Sequence, residues 1–305
     1  MDVYYVISKI SKGGIMSLEA SLKQEKMMQK MFKGMNVWKP LNTGFIDEHV
    51  YVVREYIANI FFYKKNGKTI MIDAGYNYPR LKEKMAWIDI NPNSIQDILI
   101  THIDTDHTGA LEKDSECLFK HAKIYLGQTE NKYLTKEKRR KVYFGLYPLP
   151  EVNISNEKVL LKDGQVFYID DIKIECIEMP GHTIGHMSYL IDDSYLFTGD
   201  TIWYGIDGGY SFLSTLATSN SQAKKSLVKL ENLLRKRNLH PMIITGHTGW
   251  SDDLDFTFKH KDKICGIFSK RLPDPQAPYD GYDESDDTKE NTLKRIPLSE
   301  KVKEA

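Results

Sequence analysis

The chain has 305 residues, of which 41% are hydrophobic, and its 42 basic side chains balance its 42 acidic ones. It is long enough for one large domain or two small ones with a substantial core, and no overall field favours nucleic acid or acidic membranes. No apolar run approaches the roughly 18 residues of a membrane span, and no secretory signal is apparent. Three widely spaced cysteines indicate reduced thiols, which predicts a cytoplasmic protein.

The first segment, residues 1–34, predicts an N-terminal helical extension. Leucine and methionine recur at helical spacing among charged residues from Leu18 to Phe32, which is typical of an amphipathic helix. Such a helix either covers the domain or pairs with a second copy, so a homodimer is one expectation. The main domain is expected over residues 35–270. A polar, acidic and proline-bearing tail is expected over 271–305, either flexible or docked elsewhere.

The first half of the main domain predicts strands and helices in alternation. Branched and aromatic residues favour strands, Asn66-Gly67 favours a hairpin turn, and proline is a normal start for a helix. Strands are expected at Val50–Val53, Ile60–Tyr63, Thr69–Ile72, Ile98–Ile100 and Lys123–Leu126, and helices at Pro79–Trp87, Ala110–Glu116 and Gln128–Lys141. Val142–Asn153 is an aromatic, proline-bearing loop, which is either a substrate wall or a packed surface loop.

The second half predicts a further set of strands, which suits two halves packed as a sandwich. Strands are expected at Val159–Leu161, Val166–Ile169, Ile172–Ile177, Ser188–Ile191, Tyr195–Thr198 and Pro241–Thr245. Trp203–Leu213 is expected to be a glycine- and aromatic-rich loop beside the site. Ser221–Arg237 carries leucines on one face and predicts a helix, and Phe256–Lys270 predicts a closing helix.

Metal-capable side chains cluster immediately after the strand predicted at Ile98–Ile100. His102, Asp104, Asp106 and His107 lie within six residues. Imidazole and carboxylate are good ligands for zinc and similar divalent ions. The end of a strand is also a rigid edge from which several side chains can converge.

Three further candidates recur downstream in similar settings. They are His182 in PGHTIGH, Asp200 in LFTGD and His247 in IITGHTG, each directly preceded by glycine. One such stretch alone is weak evidence, because short motifs match by chance. The four stretches together predict a metal centre. His186 is expected to support it rather than to bind metal.

The order of these motifs resembles the metallo-β-lactamase-fold metallohydrolases, and the resemblance extends over about Phe45 to Gly249. It implies an α/β fold, an αββα four-layer sandwich with a two-metal site at one edge. By this resemblance one metal takes His102, Asp104 and His182, the other takes Asp106, His107 and His247, and Asp200 bridges them. Asp73, at the end of the Thr69–Ile72 strand, either orients these ligands or is a turn residue.

Position 104 departs from the usual motif, which has histidine there. A carboxylate is harder than imidazole and adds a negative charge, which favours harder ions. Iron or manganese is therefore more plausible than in a site with histidine at this position. Two divalent ions are expected, with zinc preferred and iron or manganese as alternatives. Asp106 is expected to be catalytic, because it would bind one ion and orient the attacking hydroxide.

The resemblance implies a metal-dependent hydrolase. A small ester, thioester or lactone is the expected substrate, and neither a nucleic-acid nor a membrane partner is expected. Tyr204 and Tyr210 are either oxyanion donors or packing residues. The alternative is a diiron oxidoreductase that reduces oxygen or nitric oxide. The sequence resembles flavodiiron proteins in having a carboxylate at position 104. Those proteins carry a fused flavodoxin domain, and the fewer than 60 residues after His247 are too few for one. A redox role would therefore need a separate electron-donor protein.

Overall fold

The computed structural model describes residues 23, 26, 38, 40–112, 118–143, 145–149, 151–205, 207–212, 215–265 and 287–295. Almost all of the extension predicted over residues 1–34, and most of the tail predicted over 271–305, lie outside these residues. Within them, the secondary structure is mainly short strands with a few helices.

The strands occur throughout the described part of the main domain. They are β1 (Gly44–Phe45), β2 (Val50–Glu55), β3 (Ala58–Lys65), β4 (Lys68–Ile72), β5 (Asp97–Leu99), β6 (Lys123–Gly127), β7 (Lys141–Val142), β8 (Tyr147–Pro148), β9 (Lys158–Leu161), β10 (Val166–Ile169), β11 (Ile172–Glu178), β12 (Met187–Ile191), β13 (Tyr195–Phe197), β14 (Ile202–Gly205), β15 (Gly208–Ser211), β16 (Met242–Ile244), β17 (Trp250–Ser251) and β18 (His260–Ile264). The helices are α1 (Tyr78–Trp87), α2 (Thr105–Glu112), α3 (Asn131–Leu134), α4 (Asn220–Lys236), α5 (Leu254–Phe258) and α6 (Lys289–Arg295).

Two large sheets organise the domain. The first has seven strands in the order β1-β2-β3-β4-β5-β6-β9, and the second has six in the order β10-β11-β12-β13-β16-β17. Each contains parallel neighbours, β4 with β5 in the first sheet and β13 with β16 in the second. The carboxyl ends of these parallel strands are the positions from which the predicted ligands follow.

The inner faces of the two sheets share one hydrophobic core. Side chains alternate between the faces of a strand, and β2 shows this directly. Val50 and Val52 join the core between the sheets, whereas Tyr51 and Val53 join the core on the outer face. The second sheet contributes Cys176 and other apolar residues to the shared core.

Helices cover the outer faces of both sheets. α1 begins after Asn77, whose side chain accepts a hydrogen bond from a backbone amide in the first turn, which is a normal N-cap. On the second sheet, α4 packs the buried side chains of Leu227, Leu230 and Leu234 against the strands. Truncation of Leu230 to alanine is expected to cost about 2–5 kcal/mol, because it leaves a cavity. The layers are therefore helix, sheet, sheet and helix, and the predicted αββα sandwich is confirmed.

Three predicted elements are wrong. The helix predicted over Gln128–Lys141 is only the single turn α3, and Lys136, just beyond it, has a left-handed φ of 64°. The loop predicted over Trp203–Leu213 contains the antiparallel pair β14–β15. The closing helix predicted over Phe256–Lys270 is instead the short α5 followed by β18, which pairs in parallel with the distant β15.

Part of the segment predicted as a tail contacts the domain. The buried Asp287 carboxylate accepts hydrogen bonds from Thr43 Oγ1 at 2.9 Å and from Lys84 Nζ at 2.7 Å. Thr292 Oγ1 donates to the Thr43 carbonyl at 3.2 Å. Residues 287–295 thus dock against the first sheet and α1.

Candidate metal centre

The first ligand motif runs from the end of β5 into the start of α2. Asp106 and His107 lie in the first helical turn, and His107 N donates to the Asp104 carbonyl at 2.9 Å. The helix predicted over Ala110–Glu116 therefore begins one turn earlier. This early start fixes the backbone of the motif, so its side chains project from a rigid turn.

All seven predicted ligands meet in one pocket at the edge of the sandwich. The structure groups them as His102, Asp104 and His182; as Asp106, His107 and His247; and as His102, His107 and Asp200, with the ligand atoms of each group within 4.8 Å of one another. We call the first group the Asp104 side and the second the Asp106 side. Asp200 lies between them: its Oδ2 is near histidines of both sides, and its Oδ1 is near His107.

The Asp106 side has the spacing of a metal site. His247 Nε2 lies 3.3 Å from Asp106 Oδ2 and 3.1 Å from Asp200 Oδ2. His107 Nε2 lies 3.3 Å from Asp200 Oδ1 and 3.3 Å from His247 Nε2. Two ligands at about 2.0–2.1 Å from a tetrahedral ion are themselves about 3.3 Å apart. His107 Nε2 lies 3.7 Å from Asp106 Oδ2, so these residues fit a divalent ion after a small adjustment.

The Asp104 side has slightly wider spacing. His182 Nε2 lies 3.1 Å from Asp104 Oδ2 and 3.5 Å from Asp200 Oδ2. His102 Nε2 lies 3.8 Å from Asp104 Oδ2, is buried and has no hydrogen-bond partner. A buried nitrogen without a partner is costly unless a ligand satisfies it. A metal ion is such a ligand, so this side also fits one.

Asp73 holds two of the histidines from behind. Its Oδ2 lies 2.8 Å from His107 Nδ1, and its Oδ1 accepts a hydrogen bond of 2.8 Å from Thr101 N. The hydroxyl of Thr101 also bonds Asp73 and lies 3.0 Å from His102 Nδ1. These contacts turn both Nε2 atoms towards the pocket. Of the two roles considered for Asp73, the geometry supports orientation of the ligands.

The remaining histidines are held to different degrees. His247 Nδ1 lies 2.6 Å from the carbonyl oxygen of Ile57, whereas His182 Nδ1 is buried without a hydrogen-bond partner. His186 is not in any of the ligand groups. Its Nε2 accepts a hydrogen bond of 3.0 Å from Asp200 N, so it positions the central carboxylate, as expected for a supporting residue.

Arg140 is a residue of the site that sequence analysis missed. Its Nε and Nη2 each donate to one oxygen of Asp104 at 2.8 Å, and its side chain is only 2% exposed. Nη2 also lies 3.3 Å from His182 Nε2. Arg140 lies in the charged run Lys136–Lys141, and nothing in that run distinguishes it from a solvated surface. A two-pronged arginine–carboxylate pair is strong and fixes orientation.

The charge of Asp104 is balanced inside the pocket. Burial opposes ionisation, but the Arg140 guanidinium holds the pKa of the Asp104 carboxyl well below its usual range. The pair therefore contributes no net charge, as a neutral histidine would at the same position. This removes the charge argument that favoured iron or manganese at Asp104.

The histidines on the two sides differ in pKa. Burial and the neighbouring His107 lower the pKa of His102 well below its ordinary value. Burial also opposes charge on His107 and His247, but the carboxylates around them, Asp200 foremost, together outweigh it and raise the pKa of both. Without metal, the Asp106 side therefore holds protons that a metal ion must displace.

Glu130 is a second missed residue, and it joins the loops that carry His102 and His182. Its buried carboxylate accepts hydrogen bonds from Ile103 N at 3.0 Å, Thr183 Oγ1 at 2.7 Å and Gly185 N at 3.1 Å. Burial raises its pKa to about 7. Glu130 and Arg140 both fall within the surface helix that was wrongly predicted over Gln128–Lys141. For this reason neither was considered as a residue of the site.

Aromatic rings surround the Asp106 side. The ring of Phe212 is stacked on His247 with centroids 5.2 Å apart, and Trp38 lies 4.7 Å from the same imidazole. The hydroxyl of Tyr204 is buried 2.9 Å from Thr257 Oγ1, and that of Tyr210 donates to the exposed Asp207 at 2.7 Å. For both tyrosines these contacts favour the packing role over that of an oxyanion donor.

A short hairpin borders the Asp104 side. Strands β7 and β8 pair through Lys141–Pro148 and Val142–Tyr147, and Leu146 between them is 72% exposed. Arg140 precedes the first strand directly. The loop predicted over Val142–Asn153 therefore begins as a hairpin, directly after the Arg140 that pairs with Asp104. This position suits a substrate wall.

Comparison with known proteins agrees with this geometry. A family model described as the metallo-beta-lactamase superfamily matches residues 53–261. A probable polyketide biosynthesis zinc-dependent hydrolase from Bacillus velezensis is 29% identical over 134 residues, which are 44% of this chain and 49% of that protein. A hydroxyacylglutathione hydrolase from Rhodopseudomonas palustris is 28% identical over 141 residues, which are 45% of this chain and 44% of that protein. The chain thus spans about half the length of these two curated relatives.

Solved structures show the same fold. One, described as a B3 metallo-beta-lactamase with an active-site glutamic acid, superposes with a TM-score of 0.55 at 15% identity, over 76% of this chain and 90% of that one. No helix among the described residues has the length and apolarity to cross a bilayer. The family model covers more than half of the sequence and includes all seven predicted ligands, and the chain belongs to the metallo-β-lactamase superfamily.

Proposed function

We propose that the chain is a metal-dependent hydrolase that binds two divalent ions, preferentially zinc, and cleaves a small ester, thioester or lactone. The observation that carries the proposal is the convergence of seven imidazole and carboxylate groups at ligand spacing in one buried pocket. The names of the two relatives support it, since both are hydrolases, one zinc-dependent and one named for an acyl-glutathione.

Bound divalent ions would supply an activated water at neutral pH and polarise the carbonyl oxygen of the substrate. His102, Asp104 and His182 would hold one ion, Asp106, His107 and His247 the other, and Asp200 both. The side chain of Asp106 is 19% exposed, more than that of any other ligand. It therefore lies where the attacking water would enter, and it would orient that water by hydrogen bonding.

Apolar surroundings favour a neutral carbonyl substrate. Trp38 and Phe212 pack beside His247, and the β7–β8 hairpin, which begins directly after Arg140, carries the exposed Leu146. An apolar lining with a few convergent polar groups is typical of small-molecule sites.

The alternative function, reduction of oxygen or nitric oxide at a diiron site, depended on the carboxylate at position 104. Because Arg140 pairs with both oxygens of Asp104, that carboxylate adds no net negative charge for a harder ion. We therefore place hydrolysis first and zinc before iron or manganese.

The test is a substrate panel with thioester, lactone, phosphodiester and β-lactam members, run on metal-free protein loaded with zinc, manganese or iron. We expect hydrolysis of a thioester or lactone, best with zinc, and loss of activity in Asp106→Asn and with a chelator. Hydrolysis that survives removal of metal would contradict the proposal. Consumption of oxygen or nitric oxide by iron-loaded protein with a reductant, without any hydrolysis, would favour the alternative.

A further inference from the structure

Every N–H of the Arg140 guanidinium has an acceptor in the protein. Nε and Nη2 donate to Asp104, Nη1 donates to the Lys141 carbonyl at 3.0 Å and to Thr218 Oγ1 at 3.1 Å, and Nη2 also donates to the Leu216 carbonyl at 2.8 Å. A guanidinium has five donors and no acceptor, so all five are used. Arg140 is therefore fixed in place and has no donor left for substrate.

This fixed guanidinium lies beside one half of the metal site. Nη2 is 2.8 Å from Asp104 Oδ2 and 3.3 Å from His182 Nε2. Both protons of Nη2 are already donated to oxygens, so the hydrogen-bond contact with His182 Nε2 is a shared and longer one. The Asp104 side thus offers its ligand atoms to a metal ion at the edge of a permanent positive charge.

In the part of the chain that the structure describes, no comparable cation pairs with the carboxylates of the Asp106 side. Among the described residues, no lysine or arginine forms an ion pair with Asp106 or Asp200; the ion pairs of both are with histidines. Asp106 and Asp200 therefore present two carboxylates to an ion on this side. The imidazoles lose their protons when they bind metal, so they are neutral and add no charge.

The imidazoles are also anchored unequally. On the Asp106 side both Nδ1 atoms have oxygen partners, Asp73 for His107 and the Ile57 carbonyl for His247. On the Asp104 side, His102 Nδ1 lies 3.0 Å from Thr101 Oγ1, but His182 Nδ1 has no partner. A ligating histidine held through its second nitrogen is oriented and more basic, and loss of such a contact weakens metal binding. Charge and ligand orientation thus both favour tighter metal binding on the Asp106 side.

We propose that Arg140 acts as a resident cation of the Asp104 side, so that the Asp106 side binds its metal ion first and the Asp104 side binds a second ion more weakly. Arg140 is a positioning residue in this scheme, because it acts through Asp104 and not on substrate. Like-charge repulsion between a guanidinium and a dication a few ångströms apart is strong in a buried pocket. The inference rests on the metal site proposed above.

The experiment measures stepwise zinc binding by the metal-free full-length chain, using calorimetry and competition with a chromophoric chelator. In the wild type we expect two steps whose dissociation constants differ by at least about tenfold. Asp106→Asn should abolish the tighter step and His182→Ala the weaker one. Two steps of equal affinity would overturn the inference and leave the proposed function intact. No binding at all would overturn the proposed function itself.

Variants of Arg140 separate charge from shape. Arg140→Met removes the charge and should tighten the weaker step by at least about tenfold, whereas Arg140→Lys retains the charge and should leave that step within about threefold. Arg139→Met is the matched control, because the neighbouring Arg139 is exposed and its loss changes net charge equally. If Arg140 were merely structural, both Arg140 substitutions would weaken both steps.

A second variant keeps the test decisive if Arg140→Met does not fold. Arg140→Gln removes the positive charge but keeps Asp104 and an amide that can donate a hydrogen bond to it. It should bind the second zinc ion at least about tenfold more tightly than the wild type, because the opposing charge is gone. If its second step is no tighter than in the wild type, Arg140 does not oppose the metal ion and the inference is wrong.

Discussion

The Asp106 side and the Asp104 side each present three ligands of ordinary type, but they differ in what surrounds those ligands. On the Asp106 side, the imidazoles are held from behind, and no described arginine or lysine pairs with Asp106 or Asp200. On the Asp104 side, the carboxylate is shared with Arg140. Ligand identity alone would make the two sides nearly equivalent. The difference teaches that neighbouring charges and second contacts decide how a ligand set behaves.

The largest expected effect comes from Asp200, which both sides share. Asp200→Ala should weaken both zinc-binding steps by more than about a hundredfold, because its carboxylate is near histidines of both sides. Metal analysis after dialysis measures this directly. Asp252→Ala, at an exposed position, is the control with the same change in charge. A variant that lost only one step would show that Asp200 belongs to one side alone.

The next largest expected effect is a difference in the free energy of unfolding between variants of the two sides. In metal-free protein, Asp104→Asn leaves Arg140 as a buried, unpaired cation and should lower the free energy of unfolding by about 3–5 kcal/mol. Asp106→Asn breaks no lysine or arginine pair and should change it by no more than about 1 kcal/mol. Urea denaturation with chelator present compares them. Equal losses would mean that the Arg140 pair contributes nothing particular to the fold.

The pH dependence of metal binding should separate the sides as well. The pKa values of His107 and His247 are raised and that of His102 is lowered. Metal needs neutral imidazole, so below the raised pKa values the tighter step should weaken by about tenfold per pH unit for each proton displaced. Above those pKa values the dependence should vanish. Calorimetry in buffers with different ionisation enthalpies counts the protons, and a tighter step that releases none would contradict this.

The smallest effect is expected at the hairpin beside the Asp104 side. Leu146 is 72% exposed, so Leu146→Ser should change the free energy of unfolding by no more than about 0.5 kcal/mol. If the hairpin contacts an apolar part of the substrate, KM should rise by up to about tenfold while kcat stays the same. Val228→Ser, on the exposed face of α4, is the control. An unchanged KM would exclude Leu146 from the substrate wall.

Much of the site could be predicted because the ligands follow apolar strands and lie next to glycines. His102, Asp200 and His247 each follow a short buried run, and local sequence is enough to show this. Arg140 and Glu130 could not be found in this way. Both lie in a charged stretch that satisfies the pattern of a solvated helix, and their burial arises only when distant loops close over them.

The fold was predictable to a similar extent. The strands of the two large sheets have alternating or continuous apolar patterns, which local sequence displays. β18 lies at His260–Ile264 and is polar, and its pairing with β15 depends on a partner about 50 residues earlier. Such non-local pairing overrides local helix preference, so the helix predicted over Phe256–Lys270 was wrong.

The contact between Lys84 and Asp287 has a consequence for the order in which the chain matures during synthesis. The two residues are 203 positions apart, and the ammonium of Lys84 is buried against the Asp287 carboxylate in the finished protein. At about 5–20 residues per second, a ribosome takes about 10–40 seconds to add that length of chain. The surface of α1 that receives Asp287 must therefore wait, incomplete, until those 203 further residues have been added.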